Sequence, residues 1–223
     1  MKIILLLMCA PILSFGGDQL VFEGDSFTDP TYHSGPPDYV THYPALMIAA
    51  LSPTPATTNF AHLGNTLTDL NSRAASVDAL YSVSYAHNTL SVLIGQNDLN
   101  SESAATFVPL LKTYCLARKT TGWRILLWTL VQEGGGGAAI RTAANALMRA
   151  DPSFYDALVP IDTDPNMGCY NCNTNPTYFY DGIHPSAAGQ VIYSNYGMAA
   201  YRVLLGQPAR TISGNVTISG AVQ

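Results

Sequence analysis

Short apolar runs alternate with longer helix-like stretches along most of this chain, and this alternation restricts its fold more than any other feature. Strands that each lead into a helix predict repeated βα units, which build a parallel sheet covered by helices on both faces. Apolar runs such as 90–94 and 125–128 fit strands that are buried on both sides. The expected fold class is α/β, a three-layer αβα sandwich with a central parallel sheet of about five strands. The predicted strands are 19–23, 57–60, 89–94, 124–131 and 157–161, and the predicted helices are 39–51, 67–83, 104–119, 138–149 and 187–205.

Residues that could take part in catalysis follow the first three predicted strands. Ser26 follows the first strand, Gly64 the second and Asn97 the third. Ligands of such folds bind beyond the carboxyl ends of the strands, so these residues should gather at one edge of the sheet. A serine hydroxyl becomes a good nucleophile only when a base lies within hydrogen-bond reach and a third group orients that base. Asp181 and His184, near the C-terminus, can supply both groups.

Four short blocks of the chain are Gly24-Asp25-Ser26 with Thr28, Gly64 within the stretch 59–66, Gly95-Gln96-Asn97-Asp98, and Asp181-Gly182-Ile183-His184-Pro185. They resemble the blocks of the SGNH hydrolases, also called GDSL esterases and lipases. Each block alone is a weak signal, but all four occur in the family's order between residues 24 and 185. The resemblance implies an SGNH/flavodoxin-like fold for a hydrolase domain over residues 17–206.

The same resemblance implies a role for each site residue. Ser26 would be the nucleophile, His184 the general base and acid, and Asp181 the residue that orients His184. The oxyanion hole would consist of the backbone N–H groups of Ser26 and Gly64 and the side-chain amide of Asn97. The residue types suit these roles, because a glycine N–H can be approached closely and an uncharged amide stabilises an oxyanion without placing a permanent charge in the site.

Some residues of the blocks have simpler structural interpretations, and two positions differ from known hydrolase motifs. Taken separately, Ser26 could lie on a solvated turn, Asn97 on a plain turn, and His184 could cap the helix that follows it. Gln96 stands where many members of the family have a second glycine. Thr28 stands where a Gly-x-Ser-x-Gly motif would have its last glycine, which argues against the nucleophile elbow of the lipase-type α/β-hydrolases.

The remaining polar residues of the blocks and the other histidines are expected to be structural. Asp25 is interpreted as a carboxylate that accepts hydrogen bonds from backbone N–H groups after the turn. The other histidines have no matching carboxylate at a useful sequence spacing, so they are interpreted as surface or packing residues. His62 precedes Gly64 by two positions and could also line the cleft. These other histidines are His33, His42, His62 and His87.

The composition is that of one apolar domain with few charges. Of the 223 residues, 48% are hydrophobic and 11% are charged, against roughly 25% charged residues in an average soluble protein. No linker or charge run divides the chain, so one domain is expected. The formal net charge is -5 and there is no basic stripe, so nucleic-acid binding is not expected. We expect no cofactor and no metal, because a serine triad completes acyl transfer alone.

Residues 1–16 have the pattern of a secretory signal peptide. Lys2 precedes an apolar run over 3–15, and small residues follow that run. The run is shorter than the ~20 residues of a membrane span, so no stable span is expected in the mature chain. A buried first strand of the domain is the alternative. The pattern predicts a secreted or periplasmic protein.

The cysteines and the C-terminal tail add two further expectations. Removal of the signal peptide would leave Cys115, Cys169 and Cys172, and an odd number favours one bridge plus a free thiol. Cys169 and Cys172 fit a local disulfide or unpaired loop thiols better than zinc, because no second close pair exists. The tail over 207–223 contains Thr-Ile-Ser-Gly twice, which predicts an added β-ribbon or the start of a β-rich module cut short.

Together these features predict a secreted serine esterase that hydrolyses carboxylic esters through an acyl-enzyme on Ser26. The expected substrates are short-chain acyl or O-acetyl esters of a small molecule or a polysaccharide. A lysophospholipase or lipase-like acyl hydrolase is one alternative, and a non-catalytic glycan-binding protein on the same fold is another. Aromatic residues in the loops 29–37 and 162–180 could wall the cleft or simply pack these loops.

Overall fold

Five parallel strands form the central sheet of the computed structural model, which describes residues 16–31, 42–131 and 137–207 and the short strands 211–212 and 216–217. Along the sheet the strand order is β2-β1-β3-β4-β5. The order reverses between β1 and β3, and such a switch point is where ligands of doubly wound sheets bind. The strands are β1 (Gln19–Gly24), β2 (Ala56–Asn59), β3 (Asn88–Leu93), β4 (Arg124–Trp128) and β5 (Ala157–Val159).

Helices cover the sheet in two groups. The helix α1 contacts α5, whereas α3 contacts both α2 and α4. Right-handed crossovers place α1 on one face and α2, α3 and α4 on the other, because the chain moves in one direction from β1 to β2 and in the other direction from β2 onward. The expected α/β class with three layers is therefore confirmed. The helices are α1 (Tyr43–Ala49), α2 (Leu67–Asp78), α3 (Ala104–Thr121), α4 (Gly137–Ala150) and α5 (Ala187–Leu204).

The core forms on both sides of the central strands, as their continuous apolar runs predict. Every residue of β1 and of β3 is buried, and the two strands pair from Gln19 with Asn88 onward. Trp128, at the end of β4, donates from Nε1 to the hydroxyl of Ser91 over 2.9 Å. Its ring stacks on Tyr193 of α5 with 5.7 Å between the ring centroids, so α5 is anchored directly to the sheet.

Helix starts lie next to the four sequence blocks. The N–H of Thr66, the N-cap residue of α2, donates to the carboxylate of Asp69 over 2.7 Å, and α2 begins three residues after Gly64. The hydroxyl of Ser186 accepts a hydrogen bond from the N–H of Gly189, which begins α5 just after His184. Such caps satisfy backbone groups that the first turn of a helix leaves unpaired.

Two predicted helices are longer than the observed ones. The helix α1 covers Tyr43–Ala49 rather than 39–51, and residues 39–41 of that prediction lie outside the described residues. The helix α2 ends at Asp78 rather than at residue 83. The reason is a turn at Ser82, whose N–H and carbonyl both bind the side-chain amide of Asn88 at 3.2 and 2.9 Å. This partner belongs to the next strand, so helix propensity alone does not reveal it.

The ends of the chain are described only in part. The predicted signal peptide lies outside the described residues except for Gly16, whose N–H donates to the carbonyl of Ser84 over 2.8 Å. In the tail, β6 (Thr211–Ile212) pairs antiparallel with β7 (Val216–Thr217), and the other residues beyond 207 lie outside the described part. Among the helices that the structure describes, none is both long and apolar enough to cross a membrane.

Candidate active site

A serine, a histidine and an aspartate form one chain of hydrogen bonds at the carboxyl edge of the sheet. The hydroxyl of Ser26 lies 2.8 Å from Nε2 of His184. Nδ1 of the same ring lies 2.7 Å from Oδ2 of Asp181. Ser26 and His184 are 158 residues apart in sequence and both are buried, at 6% and 9% exposure. The structure thus brings together the three residues that the sequence singled out.

The loop before α5 is shaped by its own backbone. Oδ1 of Asp181 accepts hydrogen bonds from the N–H groups of Ile183 and His184 at 2.9 and 2.7 Å. The N–H of Tyr180 donates to the carbonyl of His184 over 3.1 Å, which closes the loop. Asn173 donates from its side chain to the carbonyl of Gly182 over 2.7 Å. The carboxylate of Asp181 therefore holds both the backbone and the ring of His184.

Two aromatic rings lie against the imidazole. Phe27, the residue after the serine, has its ring centroid 5.5 Å from that of His184. Tyr180 stacks on the same ring, with 5.9 Å between centroids and 21° between planes. Together with the carboxylate of Asp181 they restrict the orientation of the imidazole, so Nε2 keeps facing the serine.

The carboxyl group of Asp181 stays ionised to lower pH than usual. Its partial burial raises the pKa, but the hydrogen bonds from the backbone and ring of His184 and from the N–H of Ile183 outweigh that effect. The net result is a pKa below the ordinary value of an aspartate. An ionised Asp181 keeps the proton of the imidazole on Nδ1, which leaves Nε2 free to accept the proton of the serine.

Ser26 and Gly64, whose backbone N–H groups are the expected oxyanion donors, follow β1 and β2. Gly64 has φ +77°, in the left-handed region that glycine adopts without strain, and its Cα borders open space. Within the described part of the chain, neither the N–H of Gly64 nor that of Ser26 donates a hydrogen bond. Both donors are therefore available to a bound oxyanion.

The side-chain amide of Asn97 is the third expected donor. Nδ2 of Asn97 donates to the backbone carbonyl of Asn65 over 2.9 Å. The side chain of Asn65 in turn donates to the carbonyl of Gly24 over 3.0 Å and is 8% exposed. Asn65 thus joins the ends of β1 and β3. No role of Asn65 was predicted from the sequence, in which its position directly after Gly64 is the only signal.

Two buried carboxylates join the same loops. Asp29 accepts hydrogen bonds from the N–H of Leu63 at 2.8 Å and from the N–H and hydroxyl of Thr31. Burial raises the pKa of Asp29, but these hydrogen bonds outweigh it and lower the pKa. Asp98 accepts from the N–H of Leu67 at 2.9 Å, and its burial raises the pKa of that carboxyl. Both contacts fix the segment around Gly64 from neighbouring loops.

The overall fold has several counterparts among solved structures, although no protein-family model and no curated protein matches the sequence. An α/β-hydrolase enzyme from the metagenome of Lake Arreo, Spain, superimposes with a TM-score of 0.65 at 22% identity, over 84% of this chain and 94% of that one. An acetylxylan esterase from Geobacillus stearothermophilus gives 0.59 at 20% identity, over 85% and 94%. A GDSL-like lipase from Parabacteroides merdae gives 0.57 at 19% identity, over 82% and 94%.

The chain has the SGNH hydrolase fold. The four blocks predicted this fold, and at the level of the fold the resemblance is confirmed. The identities are too low to carry an activity from these proteins to this one, so the roles of the site residues rest on the geometry given above.

The first and third blocks contribute further structural contacts to the SGNH fold. Asp25 is fully buried, and its Oδ1 accepts a hydrogen bond from the N–H of Phe27 over 3.1 Å, as expected for a structural carboxylate. The hydroxyl of Thr28 lies 3.0 Å from that of Tyr43 in α1. Gln96, the departure from the family pattern, is 3% exposed, so its side chain belongs to the interior.

One of the other histidines has a carboxylate partner that its sequence spacing does not reveal. Nδ1 of His87 lies 2.7 Å from Oδ1 of Asp18, a carboxylate that is 69 residues away in sequence. The two residues precede β3 and β1, and the parallel pairing of these strands brings them together at the edge opposite the candidate site. His62 lies on the surface with Nδ1 3.1 Å from the carbonyl of Leu63, and His33 lies outside the described residues.

The cysteines and the loop 162–180 take defined positions. Cys169 and Cys172 form a disulfide, and Cys115 is a buried free cysteine whose burial raises the pKa of its thiol. In the described part of the chain, no group of three potential metal ligands comes together. Phe179 is buried in the core rather than walling the cleft, whereas Tyr170 is 63% exposed.

Proposed function

We propose that this protein is a serine esterase that hydrolyses carboxylic esters through an acyl-enzyme on Ser26. The observation that carries the proposal is the unbroken hydrogen-bond chain from the Ser26 hydroxyl through both ring nitrogens of His184 to Asp181. This arrangement has the geometry of a nucleophile, a base and a group that orients the base.

Acylation would begin with attack of the Ser26 oxygen on the ester carbonyl carbon. The serine proton passes to Nε2 of His184, and the carbonyl oxygen becomes an oxyanion that accepts hydrogen bonds from the N–H groups of Ser26 and Gly64 and from the amide of Asn97. Collapse of this intermediate breaks the carbon–oxygen bond to the alcohol, which leaves with the proton from His184. Asp181 remains ionised and stabilises the imidazolium.

Deacylation repeats these steps with water in place of the serine. His184 takes a proton from the water as its oxygen attacks the acyl carbon. The carbon–oxygen bond to Ser26 then breaks, and the serine recovers its proton from His184. The products are the carboxylic acid and the free enzyme. The cycle requires no group beyond these residues and water.

O-acetyl esters of a polysaccharide are the substrate class that we favour. Several of the similar structures are of one acetylxylan esterase, from Geobacillus stearothermophilus. Two structures of the Geobacillus enzyme are of catalytic mutants, one with a serine and one with an aspartate replaced by alanine. The same two residue types occupy the proposed catalytic positions here, as Ser26 and Asp181. We propose further that the protein is secreted, which the apolar run over 3–15 supports and N-terminal sequencing of the protein from a culture medium or periplasmic fraction would test.

A lipase-like activity on longer acyl chains is the second candidate. The observation that favours it is an apolar pair beside the site: Leu63, next to Gly64, is 48% exposed, and Ile183, next to His184, is 44% exposed. Exposed apolar groups near a polar site offer contact area to an acyl chain. The dependence of the rate on acyl length separates this candidate from an acetylesterase.

The test is hydrolysis of p-nitrophenyl acetate, butyrate and decanoate, and of acetylated xylan, by the purified protein and by Ser26→Ala. We expect release of p-nitrophenol and of acetate that falls by at least about 10³-fold in Ser26→Ala. Ser72→Ala is the matched control, because this exposed serine in α2 only donates to the carbonyl of Asp69. Equal inactivity of the protein and of Ser26→Ala, together with binding of xylan, would favour the non-catalytic glycan-binding function instead.

A further inference from the structure

Arg141 in α4 is a buried cation at the back of the loop that follows β3. Its side chain is among the largest that are fully buried, with 1% of the residue exposed. A buried guanidinium is strongly unfavourable unless its N–H groups are hydrogen-bonded. Nη2 donates to the backbone carbonyl of Gln96 at 2.9 Å and to Oδ1 of Asn100 at 3.2 Å, and Nε donates to Oε1 of Gln96.

These contacts hold the loop on both sides of Asn97. Gln96 directly precedes Asn97, and Asn100 follows it by three positions. The loop starts at Gly95, which has φ +127° and where a Cβ would come within 2.7 Å of the ring of Phe107. The backbone at the start of the loop is therefore fixed at Gly95, and Arg141 binds the loop again at Asn100. Asn97 lies between these two points.

We propose that Arg141 is a positioning residue for the oxyanion hole. By binding Gln96 and Asn100, it fixes the backbone that carries Asn97 and hence the direction in which the amide of Asn97 donates. Oε1 of Gln96 gives the guanidinium an acceptor that a glycine at this position would lack. The inference rests on the proposed function, because it assigns Arg141 to the same reaction.

The proposal predicts a particular kinetic signature. A donor that serves the oxyanion acts mainly in the transition state, so its displacement lowers kcat and leaves KM nearly unchanged. Displacement of catalytic groups by about 1 Å can cost up to about a hundredfold in rate. If Arg141 acts through Asn97, replacement of Arg141 should lower kcat only when the amide of Asn97 is present. A purely structural role would instead reduce activity to the same extent in both backgrounds.

The experiment compares Arg141→Lys in the wild-type protein and in Asn97→Ala. Lysine keeps the positive charge but loses the fork that binds Gln96 and Asn100 together. With p-nitrophenyl acetate we expect kcat to fall about tenfold to a hundredfold in the wild-type background. In the Asn97→Ala background we expect less than about a twofold change, because two residues that act as a unit are not additive. Arg149→Lys, an exposed arginine in the same helix, is the matched control.

Each outcome decides the proposal. An equal fall of kcat in both backgrounds, or a fall matched by Arg149→Lys, overturns the role proposed for Arg141. If Ser26→Ala has lost its activity in the same assays, the proposed esterase function still stands. Full activity in Ser26→Ala overturns the proposed function and this inference with it. If circular dichroism shows that Arg141→Lys is unfolded, Gln96→Met replaces it. That variant keeps the backbone acceptor and should lower kcat about fivefold, again only when Asn97 is present.

Discussion

The amide of Asn97 binds the backbone carbonyl of Asn65 over 2.9 Å, and this contact gives the expected oxyanion donor a fixed orientation. An amide NH₂ group has two hydrogens, so one can hold the side chain in place while the other binds a ligand. The side chain of Asn65 is held in turn by the carbonyl of Gly24, just before the serine. Donors that are fixed before the reaction need no reorganisation when charge develops, which is how such sites stabilise a transition state.

Replacement of Asn97 by alanine should therefore impair the chemical step. Loss of one oxyanion donor typically lowers kcat by about 10² to 10³-fold. We expect such a decrease for Asn97→Ala with p-nitrophenyl acetate and a KM within about threefold of the wild-type value. Asn71→Ala is the matched control, because this exposed asparagine in α2 donates only to the carbonyl of Leu67. A kcat of Asn97→Ala equal to that of the control would exclude Asn97 from the oxyanion hole.

The stability of the protein should depend on pH through Glu23. This carboxyl is fully buried and accepts hydrogen bonds from Nε of Arg73 at 2.7 Å and from the hydroxyl of Tyr114. Burial raises the pKa of Glu23 from 4.5 to about 7, although Arg73 and Arg118 lower it. The folded state thus keeps a proton that the unfolded chain loses between these two values.

The sign of the effect follows from this difference. The stabilisation of the folded state by the raised pKa of Glu23 is fully present below pH 4.5 and is lost as the pH rises through about 7. The loss amounts to about 3 kcal/mol of unfolding free energy. Urea unfolding at pH 5, 6, 7 and 8 measures it, with Glu23→Gln as the comparison. The difference between the two proteins should change across this range and become constant above it; a constant difference from pH 5 onward would contradict the assignment.

The sequence predicted the strands and the block positions because both depend on local patterns. Strands such as β4 are almost entirely apolar, and Ser26 and Asn97 lie two and four residues after the ends of β1 and β3. Contacts between distant segments could not be predicted in this way. The pairs His87 with Asp18 and Arg141 with Gln96 are 69 and 45 residues apart, and only the strand order brings them together.

The burial of polar residues was equally hard to predict. Gln96 was identified as a departure from the family pattern, but nothing in its neighbours along the chain predicts that a guanidinium covers it. The sequence left open whether the aromatic residues of the loop 162–180 wall the cleft or pack the loop; Phe179 packs in the core and forms a β-bridge with Pro185. Local pattern gives the type of an element; the side-chain partners depend on how the elements pack.

Reduction of the disulfide should destabilise the loop before the catalytic segment. The bridge closes a short loop between Cys169 and Cys172, and the following residue, Asn173, holds the carbonyl of Gly182. For a loop of this length the entropic contribution of a crosslink is about 2 kcal/mol. Cys169→Ser combined with Cys172→Ser should lower the unfolding free energy by that amount in urea. Dithiothreitol should lower the unfolding free energy of the wild-type protein but not that of the double variant. An equal effect on both proteins would show that the loss does not come from the disulfide.

The last prediction concerns the carboxylate that orients the histidine. In Asp181→Asn, the side-chain oxygen can still accept the N–H groups of Ile183 and His184, so the loop should keep its shape. The new NH₂ group then faces Nδ1 of His184, which must act as an acceptor, and the ring proton moves to Nε2. A protonated Nε2 cannot take the proton of Ser26. We expect kcat to fall by about 10⁴-fold at pH 7 with little change in the unfolding free energy.

Steady-state hydrolysis of p-nitrophenyl acetate and urea unfolding measure both halves of this prediction. Asp164→Asn is the matched control, because Oδ1 of Asp164 accepts the N–H groups of Asn166 and Met167 in the same manner in a neighbouring loop. Its kcat should stay within about twofold of the wild-type value, since changes outside such a unit leave the transition state unaffected. Because the pKa of Asp181 is lowered, protonation of this carboxyl should begin to reduce wild-type activity only below the ordinary pH range of an aspartate. An Asp181→Asn variant within tenfold of wild type would mean that another group orients His184.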